Sequence, residues 1–224
     1  MMRAENISKK YPRQTKNANY FFAVNPMSIE IHKGSVTEII GRSGSGKTTL
    51  IHMLAGLITP SEGKVYFGDK DLYSLSDSEL SKFRNQYFGV IPQGHTGLFS
   101  LTVYENVLLP SVLYKNMESK DEEYAMELLQ MLEIDSLAGE YPKSLSGGEI
   151  RRMAIARALI NRPEVIFADE PTGDLDDYNT EKVLKLFRKL ADEGMSVVMV
   201  THESEAKKYC DNIYRMDSGN IKPA

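Results

Sequence analysis

The stretch of this sequence that most limits its possible folds is a glycine-rich segment between two apolar runs. It reads Gly41-Arg42-Ser43-Gly44-Ser45-Gly46-Lys47-Thr48-Thr49 and matches the spacing G-x-x-x-x-G-K-[ST] in full. An apolar run before it predicts a strand, and an apolar run after it predicts a helix. The ordinary alternative is a Gly/Ser-rich connecting loop. The Lys-Thr pair and both flanking elements favour a phosphate-binding loop.

Each residue type in this loop has a physical role in binding a phosphate. Gly41, Gly44 and Gly46 adopt backbone angles that a Cβ disfavours, so successive N–H groups can turn inward. Lys47 supplies an ammonium for the β- and γ-phosphates, and Thr48 supplies a hydroxyl for Mg²⁺. The positive N-terminal end of the following helix then faces the anion.

Composition narrows the class of protein and of partner. The chain has 224 residues, 42% of them hydrophobic, which is enough for one large α/β domain with a substantial core. A net charge of −4 argues against a broad nucleic-acid-binding face, so no nucleic-acid partner is expected. The single cysteine, Cys210, excludes an internal disulfide and fits a reducing compartment. No apolar run approaches the ~20 residues that span a bilayer, so action at a membrane requires a partner.

Apolar strands alternate with helical patterns along the chain, which predicts a mostly parallel, doubly wound α/β sheet. Strands are expected at residues 7–11, 21–31, 35–40, 64–67, 88–91, 165–168, 196–200 and 212–216, with a polar turn at 12–19. Helices are expected from residue 47 to Gly56, at 76–84, 121–132 and 150–160, and across 183–191 with Gly194 as its stop. Ligands bind such sheets at the carboxyl ends of the strands, where Gly41, Gln93, Asp169 and His202 fall.

Glu38 is an unusual residue for its place in the sequence. It lies in a strand that should be buried on both faces, where an unpaired carboxylate is costly. We therefore expect a hydrogen-bond donor or a cation close to it.

An aromatic residue ahead of the phosphate loop is a candidate for stacking on a purine ring. Tyr11 is the first choice and Tyr20 the second, although strand packing accounts for either residue about as well.

A second candidate phosphate site precedes the helix expected at residues 150–160. Locally, Ser146 and Glu149 form the pattern of a capping box, which is its ordinary meaning. Gly147 and Gly148 also leave backbone N–H groups bare at a positive helix end. Two such sites in one chain suggest a nucleotide shared between two copies.

An acidic pair, Asp169-Glu170, closes the unbroken apolar strand at 165–168. Asp169 can hold a metal through water, and Glu170 can act as a general base on an attacking water. By itself such a pair is a frequent surface feature. In a chain that also has a complete phosphate loop, it indicates a catalytic site. His202 ends the next strand, where it can sense a γ-phosphate or serve a structural role.

Taken in order, these motifs make the chain similar to the nucleotide-binding subunits of ATP-binding-cassette (ABC) transporters, over residues 7–222. The resemblance implies a P-loop (RecA-like), mostly parallel sheet core with an N-terminal antiparallel β-subdomain and an inserted α-helical subdomain. Residues 1–224 would form a single nucleotide-binding domain, with its core at 1–92 and 161–224 and the helical subdomain at 93–160.

The resemblance also implies roles for individual residues. Lys47, Glu170 and His202 would be catalytic, Glu170 as the carboxylate and His202 as a switch that stabilises transferred charge. Thr48, Gln93 and Asp169 would hold Mg²⁺, and Gln93 would also relay to the membrane partner. ATP would be bound by Tyr11, by the loop residues Gly41 and Ser43 to Thr49, and by the opposite subunit's Ser146, Gly147 and Gly148.

The implied activity is ATP hydrolysis coupled to transport, with ATP as substrate and Mg²⁺ as cofactor. The implied partners are a second copy of the chain and an integral-membrane permease subunit, which would place the protein peripherally at the cytoplasmic face of the cell membrane.

Two segments, residues 101–110 and 168–176, resemble the lipoprotein-release and macrolide or antimicrobial-peptide export branch of the family. Two departures accompany them. The usual Gln after the double glycine is Glu149, followed by Ile150-Arg151-Arg152, and Gly94-His95-Thr96-Gly97 follows Gln93 where bulkier residues are common. The second departure affects the surface expected to meet the partner, and hence the cargo.

Three other functions share part of this pattern. A small P-loop GTPase or kinase would share the phosphate loop, but the sequence has no Asn-Lys-x-Asp guanine reader and such proteins have no use for Ser146-Gly147-Gly148. An ABC protein of DNA repair or translation would carry paired cassettes or long coiled-coil insertions, and the sequence has neither. A membrane signalling or cell-division ABC ATPase uses the same chemistry and stays open.

Overall fold

The computed structural model describes residues 1–15, 18–94, 96–114 and 118–224. In chain order its strands and helices are β1 (Met2–Thr15), β2 (Ala18–Ile31), β3 (Val36–Ile40), α1 (Lys47–Leu54), β4 (Glu62–Phe67), β5 (Lys70–Asp71), α2 (Asp77–Tyr87), β6 (Phe88–Ile91), α3 (Val103–Val112), α4 (Ser119–Met131), α5 (Gly147–Leu159), β7 (Val165–Asp169), α6 (Asp177–Asp192), β8 (Ser196–Val200), β9 (Asn212–Asp217) and β10 (Asn220–Pro223). Short 3₁₀ helices lie at Leu72–Ser74, Asp135–Leu137, Pro142–Ser144 and Ser204–Tyr209.

The strands form two sheets. One has the order β10-β9-β3-β8-β7-β6, and its strands run parallel except for β10, which pairs antiparallel with β9. The other is antiparallel, in the order β2-β1-β4-β5. The predicted mostly parallel sheet and the N-terminal antiparallel sheet are both confirmed.

The six-stranded sheet separates two cores because alternate residues of a strand point to opposite faces. On β7, Ile166 and Ala168 join the core that contains α3, α5 and α6. Val165 and Phe167 join the core that contains α1 and the antiparallel sheet. All five residues of β7 are buried, which explains why this strand reads as an unbroken apolar run.

The N-terminal hairpin differs from the sequence-based expectation. The polar turn expected at residues 12–19 is wrong in large part, because Pro12 pairs with Tyr20 and Thr15 with Ala18 across β1 and β2. This end of β1 has β2 on one side, while its pairs with β4 stop at Ser8. An edge without a second neighbour tolerates a proline and polar side chains, so the sequence there resembles a loop. Positions 16 and 17 of the expected turn lie outside the described residues.

Most other elements occur where they were expected. The apolar face expected in the segment at 121–132 packs in the core, where Ala125, Leu128, Leu129 and Leu132 are buried and Tyr124 is partly buried. Gly194 follows α6 with a φ of +104°, and its N–H donates to the Ala191 carbonyl. Strand β10 was not expected, because a four-residue edge strand leaves little periodic signal.

Glu38 is fully buried on β3, as its position suggested. Among the described residues, neither carboxylate oxygen accepts a conventional hydrogen bond. The Cys210 thiol and the Lys207 ammonium are the groups that act on it, and both lower its pKa by less than burial raises it. The expected donor or cation is therefore represented by a weak thiol donor and by the charge of Lys207.

Within the described ranges, none of the helices combines the length and the apolar character needed to cross a bilayer.

Candidate functional site

The phosphate loop follows β3 and turns directly into α1, as the sequence predicts. Two of its glycines are required by close backbone approach. A Cβ on Gly41 would lie 2.2 Å from the Met216 carbonyl oxygen, and one on Gly46 would lie 2.1 Å from the Ala23 carbonyl oxygen. Gly46 also has a φ of +105°, a conformation that L side chains rarely adopt. The loop is therefore clamped between β2 and β9 and cannot accept side chains at either position.

The Lys47 side chain folds back over the loop. Its Nζ donates to the carbonyl oxygens of Gly41 at 2.8 Å and Arg42 at 3.0 Å. Together with the N-terminus of α1, this ammonium makes the concave side of the loop positive.

The turn between β9 and β10 also supports the phosphate loop. The Gly219 N–H donates to the Ser45 carbonyl at 3.0 Å, and the Asn25 N–H donates to the Gly219 carbonyl at 2.9 Å. Gly219 has a φ of +80°. The sequence signals only a turn here, and it gives no sign that the turn supports a loop so much earlier in the chain.

One cavity of about 1050 Å³ collects most of the candidate residues. Those that line it are Tyr11, Gly41, Ser43, Gly44, Gly46, Lys47, Thr48, Thr49, Gln93, Asp169, Glu170 and His202. Ser45, also a residue of the phosphate loop, is buried. Among the described residues, Ser146, Gly147 and Gly148 do not line this cavity. The residues proposed for one copy therefore converge, and those proposed for the other copy lie apart from them.

The acidic edge of the cavity is formed by neighbouring strands. Asp169 pairs with Val200 across β7 and β8, and the Glu170 N–H then donates to the Val200 carbonyl at 2.8 Å. This register brings Glu170 Oε2 to 2.9 Å from His202 Nδ1. Glu170 has a φ of +52°, so its backbone is strained at the position that carries the candidate base.

The contact with Glu170 is the main reason that the pKa of His202 is raised above 6.5, and Lys47 opposes the shift. Because His202 is 74% exposed, the contact adds little to stability. Its contribution is present below pH 6.5 and is lost as the pH rises through the higher folded-state value.

We expect a ring-proton NMR titration to give His202 a pKa above 6.5, and Glu170→Gln to return it toward that value, because the carboxylate charge is removed. The ring protons of the other histidines serve as internal references. A wild-type His202 that titrates at or below 6.5 would contradict this electrostatic picture.

An aromatic wall faces the cavity from the N-terminal hairpin. Tyr11 and Phe21 are directly paired across β1 and β2, with ring centroids 6.0 Å apart, and both line the cavity. Tyr20 instead packs against Phe22 and is absent from the lining among the described residues. Sequence reasoning missed Phe21, which only the strand register places beside Tyr11.

The second candidate phosphate site is the N-terminus of α5. Ser146 caps the helix, with the predicted capping box to Glu149 present in both directions. The Ser146 side chain is exposed, so the helix end faces solvent. The capping box uses the N–H groups of Ser146 and Glu149, which leaves those of Gly147 and Gly148 for a ligand held by another molecule.

Comparisons with known proteins agree with these motifs. The family model described as "ABC transporter" matches residues 24–173. An uncharacterised ABC transporter ATP-binding protein of Methanocaldococcus jannaschii, MJ1508, is 38% identical over 99% of this chain and 97% of its own length. The lipoprotein-releasing system ATP-binding protein LolD of Aquifex aeolicus is 38% identical over 99% of this chain and 96% of its own.

Among solved structures, the fold is similar to that of the ATP-binding cassette MJ0796, in a dimeric post-hydrolysis state bound to ADP and Pi. That chain is 34% identical with a TM-score of 0.92, and the alignment covers 100% of this chain and 98% of that one. A nucleotide-free cassette from an ABC transporter is 30% identical with a TM-score of 0.78, covering 98% of this chain and 88% of the other.

Proposed function

The chain belongs to the ABC transporter family, and from this membership we propose that two copies close on two Mg·ATP and reopen when ATP is hydrolysed. It is an ATP-binding, ATP-hydrolysing subunit of that family. The observation that carries the cycle is the division of the site. The phosphate loop, Asp169, Glu170 and His202 line one cavity, while the exposed Ser146 helix end lies apart from it. The test is the ATP-bound state of a Glu170→Gln variant, which should be a dimer of two chains.

The residues around Asp169 fit a hard divalent cation. Asp169 is 2% exposed, and its Oδ2 has no hydrogen-bond partner among the described residues. Thr48 and Gln93 line the same cavity and add a hydroxyl and an amide oxygen. This set of neutral and anionic oxygens suits Mg²⁺, with Asp169 acting through water. When bound, Mg²⁺ neutralises charge on the β- and γ-phosphate oxygens.

Two residues carry the chemistry in this proposal. The Glu170 carboxylate accepts a proton from the attacking water, and its strained backbone fixes the direction of that carboxylate. His202, whose pKa is raised by its contact with Glu170, stabilises negative charge on the transferring phosphoryl group. Lys47 leaves its carbonyl contacts to bind the β- and γ-phosphates. Catalysis then rests on position and charge, as phosphoryl transfer requires.

We expect Tyr11→Ala to weaken ATP binding by roughly 5- to 150-fold, because base–aromatic stacking contributes ~1–3 kcal/mol. Phe21→Ala should weaken it by a smaller factor, since Phe21 is the outer ring of the pair. Isothermal titration with ATP and EDTA measures both. Tyr11→Phe, which keeps the ring, and Tyr20→Ala, outside the cavity lining, are the matched controls. An unchanged ATP affinity in Tyr11→Ala would show that the adenine base does not stack on this aromatic wall.

The second copy's Ser146, Gly147 and Gly148 complete the site in this proposal. The Gly147 and Gly148 N–H groups would face the γ-phosphate from across the interface, and the Ser146 hydroxyl would join them by leaving Glu149. In this scheme the helical segment 93–160 moves as a unit that carries the second phosphate site. The dimer of MJ0796 supports the arrangement by similarity.

The membrane partner is proposed to dock in a groove of about 250 Å³ between α2, α3 and α5. Leu57, Leu113 and Tyr114 line it and are 47–57% exposed, which leaves three large apolar side chains open to a partner. An amphipathic cytoplasmic segment of an integral-membrane permease fits this surface. The protein would thus lie peripherally at the cytoplasmic face of the membrane. Because LolD relatives carry the name of a lipoprotein-releasing system, the proposed cargo is a lipoprotein, or a peptide or drug-like molecule of similar amphipathic character.

We expect Leu113→Glu to reduce recovery of the chain with its integral-membrane partner by about tenfold, because a charge would be buried in the apolar groove. Recovery is measured by affinity purification from detergent-solubilised membranes, with the membrane protein identified by mass spectrometry. Met131→Glu changes a similarly exposed apolar side chain outside the groove and serves as the control. Equal recovery of both variants would place the docking surface elsewhere.

A further inference from the structure

Arg151 is a buried cation beside the candidate active site. It lies in the second turn of α5 and is only 2% exposed, which is rare for an arginine unless its charge is paired. Its guanidinium also lines the nucleotide cavity. The sequence marked this position as a departure from the family pattern without giving it a role.

The two arms of this guanidinium reach two different segments. Nη1 donates to the Pro92 carbonyl at 2.8 Å, directly before Gln93. Nη2 lies 3.8 Å from Asp174 Oδ2. One side chain of α5 therefore contacts both the end of β6 and the loop that follows Glu170.

That loop needs outside support. Glu170 and Asp174, at its two ends, have φ values of +52° and +68°, which are costly for residues with a Cβ. Its backbone hydrogen bonds include those from the Gly173 N–H to the Glu170 carbonyl at 3.2 Å and from the Leu175 N–H to the Thr172 carbonyl at 3.1 Å. Such short turns hold a strained loop weakly, so a tether from a packed helix would decide its position.

The charge of Arg151 suits this place as well. Burial lowers the pKa of Arg151, and the negative charges of Asp174, Asp169 and Glu170 raise it in turn. An arginine remains charged under these conditions. It therefore offsets repulsion among three carboxylates that the fold brings to one edge of the sheet.

We propose that Arg151 is a positioning residue that ties the Glu170–Asp174 loop and the Pro92–Gln93 strand end to helix α5. The tether needs no second copy, since its contacts with Pro92 and Asp174 lie within one chain. Its consequence for catalysis rests on the proposed role of Glu170, whereas the tether itself does not.

The tether is tested on the nucleotide-free full chain by NMR-detected amide hydrogen exchange. Arg151→Gln should speed exchange at the Gly173 and Leu175 amides by about tenfold, with amides of β7 unchanged. Arg151→Lys keeps the charge and one donor, so it should give a smaller increase. Arg157→Gln is the matched control, because Arg157 is on the same helix but bonds to Thr96.

The outcomes separate clearly. Wild-type exchange at Gly173 and Leu175 in Arg151→Gln would overturn the tether, and so would an equal increase at β7, which would mean general destabilisation. If Arg151→Gln does not fold, Arg151→Lys decides between the same two results. Asp174→Asn should speed the same amides, and the two substitutions together should speed exchange by less than the product of their separate effects. Additive effects in the double variant would also overturn the tether.

Steady-state kinetics of ATP hydrolysis then measures the effect of the tether on catalysis. Arg151→Gln should lower kcat about tenfold and leave KM for ATP within about twofold, because the tether holds Glu170 and not the phosphate loop. Arg151→Lys should recover part of the kcat. Faster exchange with an unchanged kcat would keep the tether and count against the proposed role of Glu170.

Discussion

Glu170→Gln should lower steady-state ATP hydrolysis by about 10²- to 10⁴-fold, the usual contribution of a general base, while ATP still binds. The amide keeps the shape of the side chain but cannot take a proton from water. Binding should survive because the groups that hold the phosphates, Lys47 and the glycine loop, are untouched. With hydrolysis blocked, ATP should hold two chains together.

Two measurements check this result. Phosphate release gives the turnover rate, and size-exclusion chromatography with light scattering gives the mass with and without Mg·ATP. Glu203→Gln is the matched control, because Glu203 Oε1 also lies near His202, at 4.0 Å, but does not line the cavity among the described residues. Undiminished hydrolysis by Glu170→Gln would remove Glu170 from the role of base. A strictly monomeric variant with ATP bound would refute the dimer cycle.

Mixing two inactive variants should restore ATP hydrolysis if each nucleotide is bound by both copies. Lys47→Ala removes the phosphate-binding ammonium, and Gly147→Asp places a carboxylate opposite the γ-phosphate. Each variant should lose about 10²-fold or more in turnover by itself. A mixed dimer has one complete site, made from the loop of one variant and the α5 helix end of the other.

An equimolar mixture should therefore reach roughly a quarter of wild-type activity, since half of the dimers are mixed and each has one intact site of two. Gly147→Asp is a suitable partner because an acidic residue in the first turn of α5 favours the helix. The control mixes Lys47→Ala with a chain that carries both substitutions, a combination that contains no complete site. No recovery in the first mixture would show that one chain binds its nucleotide unaided.

The sequence predicts those parts of the site whose geometry is local. The phosphate loop, the Ser146 capping box and the acidic end of β7 each depend on neighbours a few residues away. Their contacts follow from residue type and spacing, as does the placement of the candidates at the carboxyl ends of parallel strands.

No pattern of residue type or spacing in the sequence indicates the contacts between distant segments. Arg151 bonds to a carbonyl 59 residues earlier, and Phe21 meets Tyr11 only through the hairpin register. The hairpin is longer than the sequence predicts. Its polar edge, which pairs on one side only, lacks the apolar alternation that marks a strand, so this part was expected to be a turn. The same holds for buried Glu38, because the groups that act on its carboxylate, Lys207 and Cys210, are far from it in the sequence.

The support that the Gly219 turn gives to Ser45 has a consequence for synthesis on the ribosome. Translation produces the glycine loop early, but the backbone that braces it emerges only after β8 and β9 have been made. A nascent chain would therefore carry the nucleotide motif without a finished pocket until Gly219 has been made. ATP, which favours folding only where it can bind, would begin to stabilise this polypeptide once the turn at Gly219 has left the exit tunnel.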